Sequence, residues 1–583
     1  MVSVPAWVAS LAAVAASVAA APTKLETRDL GGKNVIVQMF EHNWSLGPAG
    51  YGFVQTSPAT EHILGSQWWT DYQPVSYVLQ SKRGTRSQFA SMVATCKQAG
   101  VQIIADVVIN HMTGSDRGPG TGTAGSSYSA YNYPAVPYGT NDFHSACSIN
   151  YNDANSIDTC QLSSLVDLKT ETDYVRTKIA AYLQDLLNIG VYGFRIDAAK
   201  HMAVGDINAI LGKLSRWPFV VQEVIYGAGE PVQPNQFEVN GNVNEFRSTN
   251  SLRDAFVNGQ GISNLLNWPF SGWVSSSKAN TFPANHDTER SGGALSYKSA
   301  NNAWTLSQIF TLASDYGQPL VLSSYEFTDS DAGAPIDSNG LVLDTTCFSN
   351  GWRCDHRWDA IKGMVGWHNA VGAAAKTRAV SASTNRISFS RGSIGHVAIN
   401  NEGSAWSATI ATDLPAGLYC NVVNNCASTV TVAGGSFTAT IAAYDAVAFY
   451  VGGPTPGGGS SATPTRTTSS AGPTGTSGTG SVSVTFSETA STEYGQGVYL
   501  VGSLSQLGSW SPANSIKMTR ADTSSSKSGT WSVTVTLPAS TSFQFKFVKL
   551  NNSDKSLVAW ESDPNRSATT NSSGSQTVTS SWR

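Results

Sequence analysis

The stretch VYGFRIDAAKHM, residues 191–202, decides the fold. Val191, Tyr192, Phe194 and Ile196 are the β-branched and aromatic types that pack on a pleated surface, so the run opens as a strand. Arg195 and Asp197 then interrupt it, and Lys200 and His201 follow at once. Burying such charges unpaired costs several kcal/mol, so a strand keeps them only where they are paired or used. Seven further strand-like runs lie around it: VIVQMF (35–40), GFVQTSP (52–58), VQIIADVVI (101–109), FVVQEVI (219–225), NVNEF (242–246), TFPANHD (281–287) and LVLSSY (320–325). Helical segments such as DYVRTKIAAYLQDLLNIG and DINAILGKLSRW separate several of them. Eight parallel strands with crossover helices predict an α/β protein built on a (β/α)8 TIM barrel. Catalytic groups of such barrels sit at the C-terminal strand ends. Here those ends carry Asn110 and His111, Asp197, Glu223, and His286 with Asp287.

The rest of the chain bounds this reading. At 583 residues it suggests about three or four domains. A net charge of -4 gives no sign of a nucleic-acid partner. Residues 1–21 form an apolar, Ala-rich run with an A-x-A site, read as a cleaved secretory signal, with a membrane anchor as the alternative. LETR at 25–28 could end a short pro-segment. Seven cysteines leave one over. Cys347 and Cys354 are close in sequence, as are Cys420 and Cys426, and Cys147 with Cys160 could close a modest loop, which leaves Cys96 as a buried free thiol. Sequons at Asn43, Asn551, Asn565 and Asn571 are consistent with export. Residues 452–480 are dominated by Gly, Pro, Ser and Thr and read as a disordered linker. Short β-like runs fill the stretch from about 377 to 451 and return from 481 to 583.

The quartet DVVINHM, GFRIDAAKHM, QEVI and PANHD resembles the four signature regions of the alpha-amylases of glycoside hydrolase family 13, in order and with compatible spacing. GYGFVQTSP, WWTDYQPVSY and YVRTKIAAYL strengthen it, over about 33–450. The resemblance implies a barrel at 22–376, an inserted domain B at about 112–172 and an all-β domain C at 377–451. It makes Asp197 the nucleophile, Glu223 the general acid/base and Asp287 a grip on sugar hydroxyls. Retaining hydrolysis needs one ionised carboxylate and one carboxylic acid about 5 to 5.5 Å apart, which neighbouring strands can offer. Arg195, two residues before Asp197 on the same strand face, is expected to hold the nucleophile's pKa down, while an apolar strand end should raise that of Glu223. Taken singly, each acid could be a helix cap or a loop charge; it is the constellation that carries the inference.

The same resemblance puts Trp68, Trp69, Tyr72, Gln73, His111, Tyr151, Arg195, Lys200, His201 and His286 along the sugar cleft. Core filling is the ordinary fate of such aromatics, and adjacent tryptophans on a strand would face opposite ways. Calcium, which takes several oxygen ligands, is implied at Asn110, Asp167 and the carbonyls of His201 and Asp158. Two of the family's chloride positions are matched by Arg195 and Asn285, but Leu320 stands at the third, so no chloride requirement is expected.

YLVGSLSQLGSW with WESDPNR resembles the starch-binding domain of carbohydrate-binding module family 20, over essentially all of 481–583. Such a domain is a β-sandwich, with Trp510, Lys546, Trp560 and Asn565 at the first sugar site and Tyr494 at a weakened second one. The whole implies a secreted, monomeric, endo-acting retaining alpha-amylase with starch and maltooligosaccharides as its partners, and no nucleic acid or membrane. An alpha-glucan transglycosylase or a small-maltooligosaccharide-forming amylase of the same family is the alternative, the former because water and a sugar hydroxyl compete for one intermediate. A non-catalytic starch-binding chain should lack the acids at 197, 223 or 287.

Overall fold

The computed structural model describes residues 32–39, 50–454, 481–492, 496–507, 515–520, 528–551, 557–562 and 565–583. The signal-like run 1–21, LETR, Asn43, most of the linker, Tyr494 and Trp510 lie outside them.

Eight strands close a barrel: β1 (Ile36–Met39), β2 (Phe53–Thr56), β3 (Gln102–Val107), β4 (Gly193–Ile196), β5 (Phe219–Gln222), β6 (Asn242–Asn244), β7 (Ala279–Thr281) and β8 (Gln318–Ser323). Each is parallel to its neighbours, and β1 closes the ring by pairing Ile36 with Phe53 on one side and with Leu320 on the other. Alternation sorts the side chains. Ile36, Phe53, Ile104, Phe219, Val221 and Leu320 pack together with Phe246 and Phe282 in one cluster. Their sequence neighbours Val37, Val54, Ile103 and Val220 join the larger core that includes the helices. Gly193 permits the tight β4–β5 approach, because a Cβ there would lie 2.2 Å from the Phe219 carbonyl oxygen.

The crossover helices start and stop where local chemistry dictates. Thr85 and Gln88 form a capping box on α1 (Arg86–Gln98), and Thr172 caps α2 (Asp173–Ile189). Gly190, at φ 110°, ends α2 in the left-handed conformation that favours glycine. Val204–Gly212, Phe246–Phe256, Ala303–Ala313 and Asp359–Val371 supply α3 to α6.

One strand departs from expectation. The seventh strand is Ala279–Thr281, so His286 and Asp287 lie on the loop beyond it rather than within the run 281–287. Pro283 cannot donate to a sheet ladder, which favours the earlier boundary.

Between β3 and α2 the chain is organised by short ladders, His111–Gly114 with Leu165–Asp167 and Gly120–Thr121 with Ser127–Tyr128, and by the Cys147–Cys160 disulfide. Cys347–Cys354 and Cys420–Cys426 are also paired, and Cys96 is free and buried. After the barrel, two four-stranded antiparallel sheets enclose their own cluster around Trp406, Phe437 and Phe449. The C-terminal unit, considered by itself, is a two-sheet β-structure whose core includes Phe486, Trp531, Phe543, Phe545 and Phe547.

Candidate active site

Arg195 is fully buried and joins three carboxylates on adjacent strands. Its Nη1 lies 2.6 Å from Asp197 Oδ1 and 2.9 Å from Asp106 Oδ1, and its Nη2 lies 2.7 Å from Glu223 Oε1. Parallel register makes this possible, since Arg195 is level with Asp106 on β3 and Val221 on β5. Glu223 and Asp197 extend just beyond their strands. The second Glu223 oxygen accepts the Ala198 N–H at 2.8 Å. Ala198 adopts φ 47°, a left-handed conformation costing roughly 1–2 kcal/mol for a residue with a Cβ. Strain is stored beside Asp197.

Burial pushes the Asp197 carboxyl up, although the Arg195 charge and hydrogen bonding from Arg195 and Glu223 all pull it down. The expectation that Arg195 holds Asp197 low is therefore corrected: the arginine acts in the expected direction, but desolvation outweighs it. Burial also raises Glu223, with the Asp197 charge adding to the rise and Arg195 opposing it. Asp106 is pushed up to about 7 by burial, again against Arg195. Burial and then the Glu223 charge raise Asp287, though 37% of its side chain is open to solvent. The three carboxyls around one guanidinium also repel one another, and the Asp197 charge raises both Asp106 and Glu223. Apart from burial, only lowering influences act on Asp197, whereas like charge also raises Glu223.

His286 receives a hydrogen bond on Nδ1 from Gln38 Nε2 at 2.7 Å, so its proton is on Nε2, 3.4 Å from Asp287 Oδ2. Burial keeps it neutral by holding its pKa well below the usual imidazole value. Tyr72 stacks on His286 at 4.9 Å and donates its hydroxyl to Asp106 at 3.0 Å. Trp68–Tyr72 is a 3-10 turn, not a strand, so the alternation argument for Trp68 and Trp69 does not apply. Trp68 is half-buried with its indole N–H on the Ser330 carbonyl, and Trp69 lies under the Arg117 guanidinium. Gln73 accepts the Gly114 N–H through its side chain. His111 is engaged within the protein at both ring nitrogens, with the Tyr72 carbonyl at 3.0 Å and Asn110 Nδ2 at 3.3 Å. Lys200 is buried, bonded to the Ile225 carbonyl and paired with Glu230, and lies over the exposed ring of Tyr151. His201 Nδ1 reaches the Ile157 carbonyl at 3.2 Å.

Two oxygens near this cluster suit a cation. Asn110 Oδ1 and Asp167 Oδ1 are buried without a hydrogen-bond partner, which is costly unless something else fills the role. The other Asp167 oxygen is held by His144 at 2.7 Å, and burial pushes the carboxyl up to about 6. Asp158, half-buried on a short helix, is also pushed up to about 6 by burial and by Asp206. Amide, carboxylate and carbonyl oxygens form a hard donor set that fits calcium. Among the described residues no group of three or more His, Cys, Asp and Glu gathers to hold a metal.

Three family descriptions match the chain: "Alpha amylase, catalytic domain" over 57–265, "Alpha amylase, C-terminal all-beta domain" over 379–452 and "Starch binding domain" over 481–580. An alpha-amylase of Streptomyces violaceus is 42% identical, covering 95% of this chain and 94% of the relative. One of Thermomonospora curvata is 41% identical, covering 92% and 91%. The chain belongs to the alpha-amylase family. The amylase fold also matches the crystal structure of alpha-amylase I from Eisenia fetida, with a TM-score of 0.69 and 35% identity over 74% of this chain and 98% of that one. The enzyme hydrolyses starch, and its C-terminal domain binds it.

In that starch-binding domain, Trp560 is half-buried against Tyr499, Val501, Val548 and Leu550. Lys546 is buried with its ammonium on the Glu561 carbonyl at 3.3 Å, and Asn565 is exposed and donates to Gln544 at 3.1 Å. Two residues of the amylase site escaped sequence reasoning. Asp106 anchors both Arg195 and Tyr72, and Gln38 sets the His286 tautomer. Asp106 carried the same signal as Arg195, a charge inside an apolar strand; Gln38 carried none that distinguishes it from a strand polar residue.

Proposed function

We propose that the enzyme cleaves internal α-1,4 bonds of starch with retention of configuration. Asp197 is the nucleophile: a carboxylate oxygen attacks the anomeric carbon while Glu223 gives its proton to the departing glycosidic oxygen. Glu223 then takes a proton from water, which attacks the same carbon and releases Asp197. Asp287 and the His286 Nε2–H bind hydroxyls of the reacting sugar, and such contacts matter most as positive charge develops on the ring. Arg195 bridging Asp197 and Glu223 is the observation that carries this reading, because one group fixes both carboxyls in place. Asp106 is a positioning residue that completes the guanidinium's pairing. Trp68, Trp69, Tyr72, Gln73, His111, Tyr151, Lys200 and His201 line the sugar cleft, and Trp510, Lys546, Trp560, Asn565 and Tyr494 bind starch on the terminal domain.

Calcium would be held by Asn110, Asp167 and the carbonyls of His201 and Asp158. When bound it supplies charge that ties the insertion to the barrel. Leu320, buried among Ile36, Phe53 and Phe282, offers no anion ligand, which supports a reading without a chloride requirement. The division into a barrel (22–376) with an insertion (112–172), a β-domain (377–451), a linker (452–480) and a starch-binding domain (481–583) belongs to the same reading. So do secretion of a monomer after loss of residues 1–21 and glycosylation at the sequons. Three disulfides support export. The test is the anomeric form of fresh products from soluble starch. Alpha anomers are expected; beta anomers would overturn the mechanism.

A further inference from the structure

We propose that Tyr226, backed by Arg247 and continued by Phe270, is a glucan-binding shelf that extends the cleft on the leaving-group side of Glu223. The inference rests on the retaining mechanism above and goes beyond it by naming a surface that sets where a chain is cut. Tyr226 stands three residues after Glu223, on the loop between β5 and β6. Its neighbour Ile225 gives its carbonyl to Lys200 at 2.7 Å, so this loop is clamped to the turn that follows Asp197. Glu223, which protonates the departing oxygen in the proposed mechanism, and Tyr226 thus sit on one loop at the C-terminal end of β5.

Arg247 commits three of its five N–H donors to its own surroundings. Its Nε and Nη2 lie 2.6 and 2.5 Å from the two oxygens of buried Glu245, and its Nη1 donates to the Gly272 carbonyl at 2.9 Å. The flat face of the guanidinium lies 4.5 Å from the Tyr226 ring centre and 5.7 Å from that of Trp273. A cation held so rigidly fixes the ring it touches. Tyr226 nevertheless stays 37% exposed, and Phe270, edge-on to Trp273 at 5.3 Å, stays 38% exposed. Rigid half-open aromatic faces beside a cleft lose little conformational entropy on binding and suit the C–H faces of glucose rings. The occupant is the continuation of the α-1,4-glucan whose scissile bond lies at Asp197 and Glu223.

The experiment is bond-by-bond cleavage of end-labelled maltoheptaose by the full chain. Tyr226→Ala and Tyr226→Leu should disfavour cuts that leave the longer segment on the leaving-group side, and should raise KM about fivefold, the size of one lost aromatic contact. Tyr226→Phe should match the parent, and Phe270→Ala should shift the pattern the same way but less. Tyr226→Leu keeps bulk over Arg247 and guards against misfolding of the alanine variant. A parent-like pattern in a folded Tyr226→Leu protein, or equal loss at every bond, overturns the shelf. If the parent itself cuts maltoheptaose without retention, the mechanism falls and the shelf with it.

Discussion

The barrel site and the starch-binding domain recognise one polymer by opposite physics. Arg195, Asp106, Glu223 and Asp197 are each less than 9% exposed, and their power comes from charge held out of water. In the starch-binding domain Trp560 is half-buried on a sheet face and Asn565 is exposed, so the sugar site proposed there would draw on apolar contact near solvent. Buried charge in a rigid frame is sensitive to single-atom changes, whereas an exposed aromatic surface loses affinity by increments. The two cores are separate hydrophobic clusters, so each can be perturbed alone.

Asp197→Asn breaks the comparison most severely. An amide of nearly the same shape is a poor nucleophile, and kcat should fall on the order of 10⁴-fold or more while starch adsorption is unchanged. Comparable turnover in a folded variant would sink the assignment. Truncation after residue 454 should do the reverse: hydrolysis of soluble maltooligosaccharides stays at the parent rate, and the rate on granules falls roughly 100-fold through loss of effective concentration. Trp560→Ala should reproduce part of that loss, weakening granule adsorption about fivefold by isotherm, with no change on soluble substrate.

Calcium removal sharpens the comparison thermally. Exhaustive chelation should lower the barrel's melting temperature by about 5 °C or more and activity with it, because the ion binds only the folded state. The transition of the starch-binding domain should not move, and Asp167→Ala should abolish the chelator's effect. Calorimetry of the full chain reads both transitions.

The smallest effect is a pH slope. All nine histidines precede the linker. His368, held by the Leu312 carbonyl and Asn34, is lowered to about 4 by burial, and His396 to about 3. A histidine kept neutral in the fold contributes stability above its unfolded pKa of about 6.5 that is lost as pH falls toward the folded value. Raised carboxyls such as Asp106 and Asp167 act in the opposite sense, so the test is differential: His368→Gln should lose less melting temperature than the parent between about pH 6.5 and pH 4, and the starch-binding domain should show no histidine-linked decline. An unaltered slope in that variant would show that other groups dominate.

The fold was legible because eight apolar runs with polar termini repeat along the chain, and their spacing admits little besides a barrel. The boundary error at β7 arose because Phe282, Ala284 and the acids after them look continuous with the strand, while Pro283 marks the break. The acids of the site were legible because each interrupts or closes an apolar run. The direction of each pKa shift was not, because burial and the charges of Arg195 and Asp197 on Glu223 depend on neighbours from other strands.

The amino-acid sequence by itself determined the alternation of strand and helix, the acids at the strand ends and the cysteine partners near in sequence, since all of these follow from short-range pattern. Only the tertiary structure decided that one guanidinium serves three carboxylates, that Gln38 sets the His286 tautomer from 248 residues away, and that Arg247 fixes Tyr226. Those contacts join residues brought close by closure of the barrel and by the loops that follow its strands, and pairing across a closed sheet leaves no mark on local sequence.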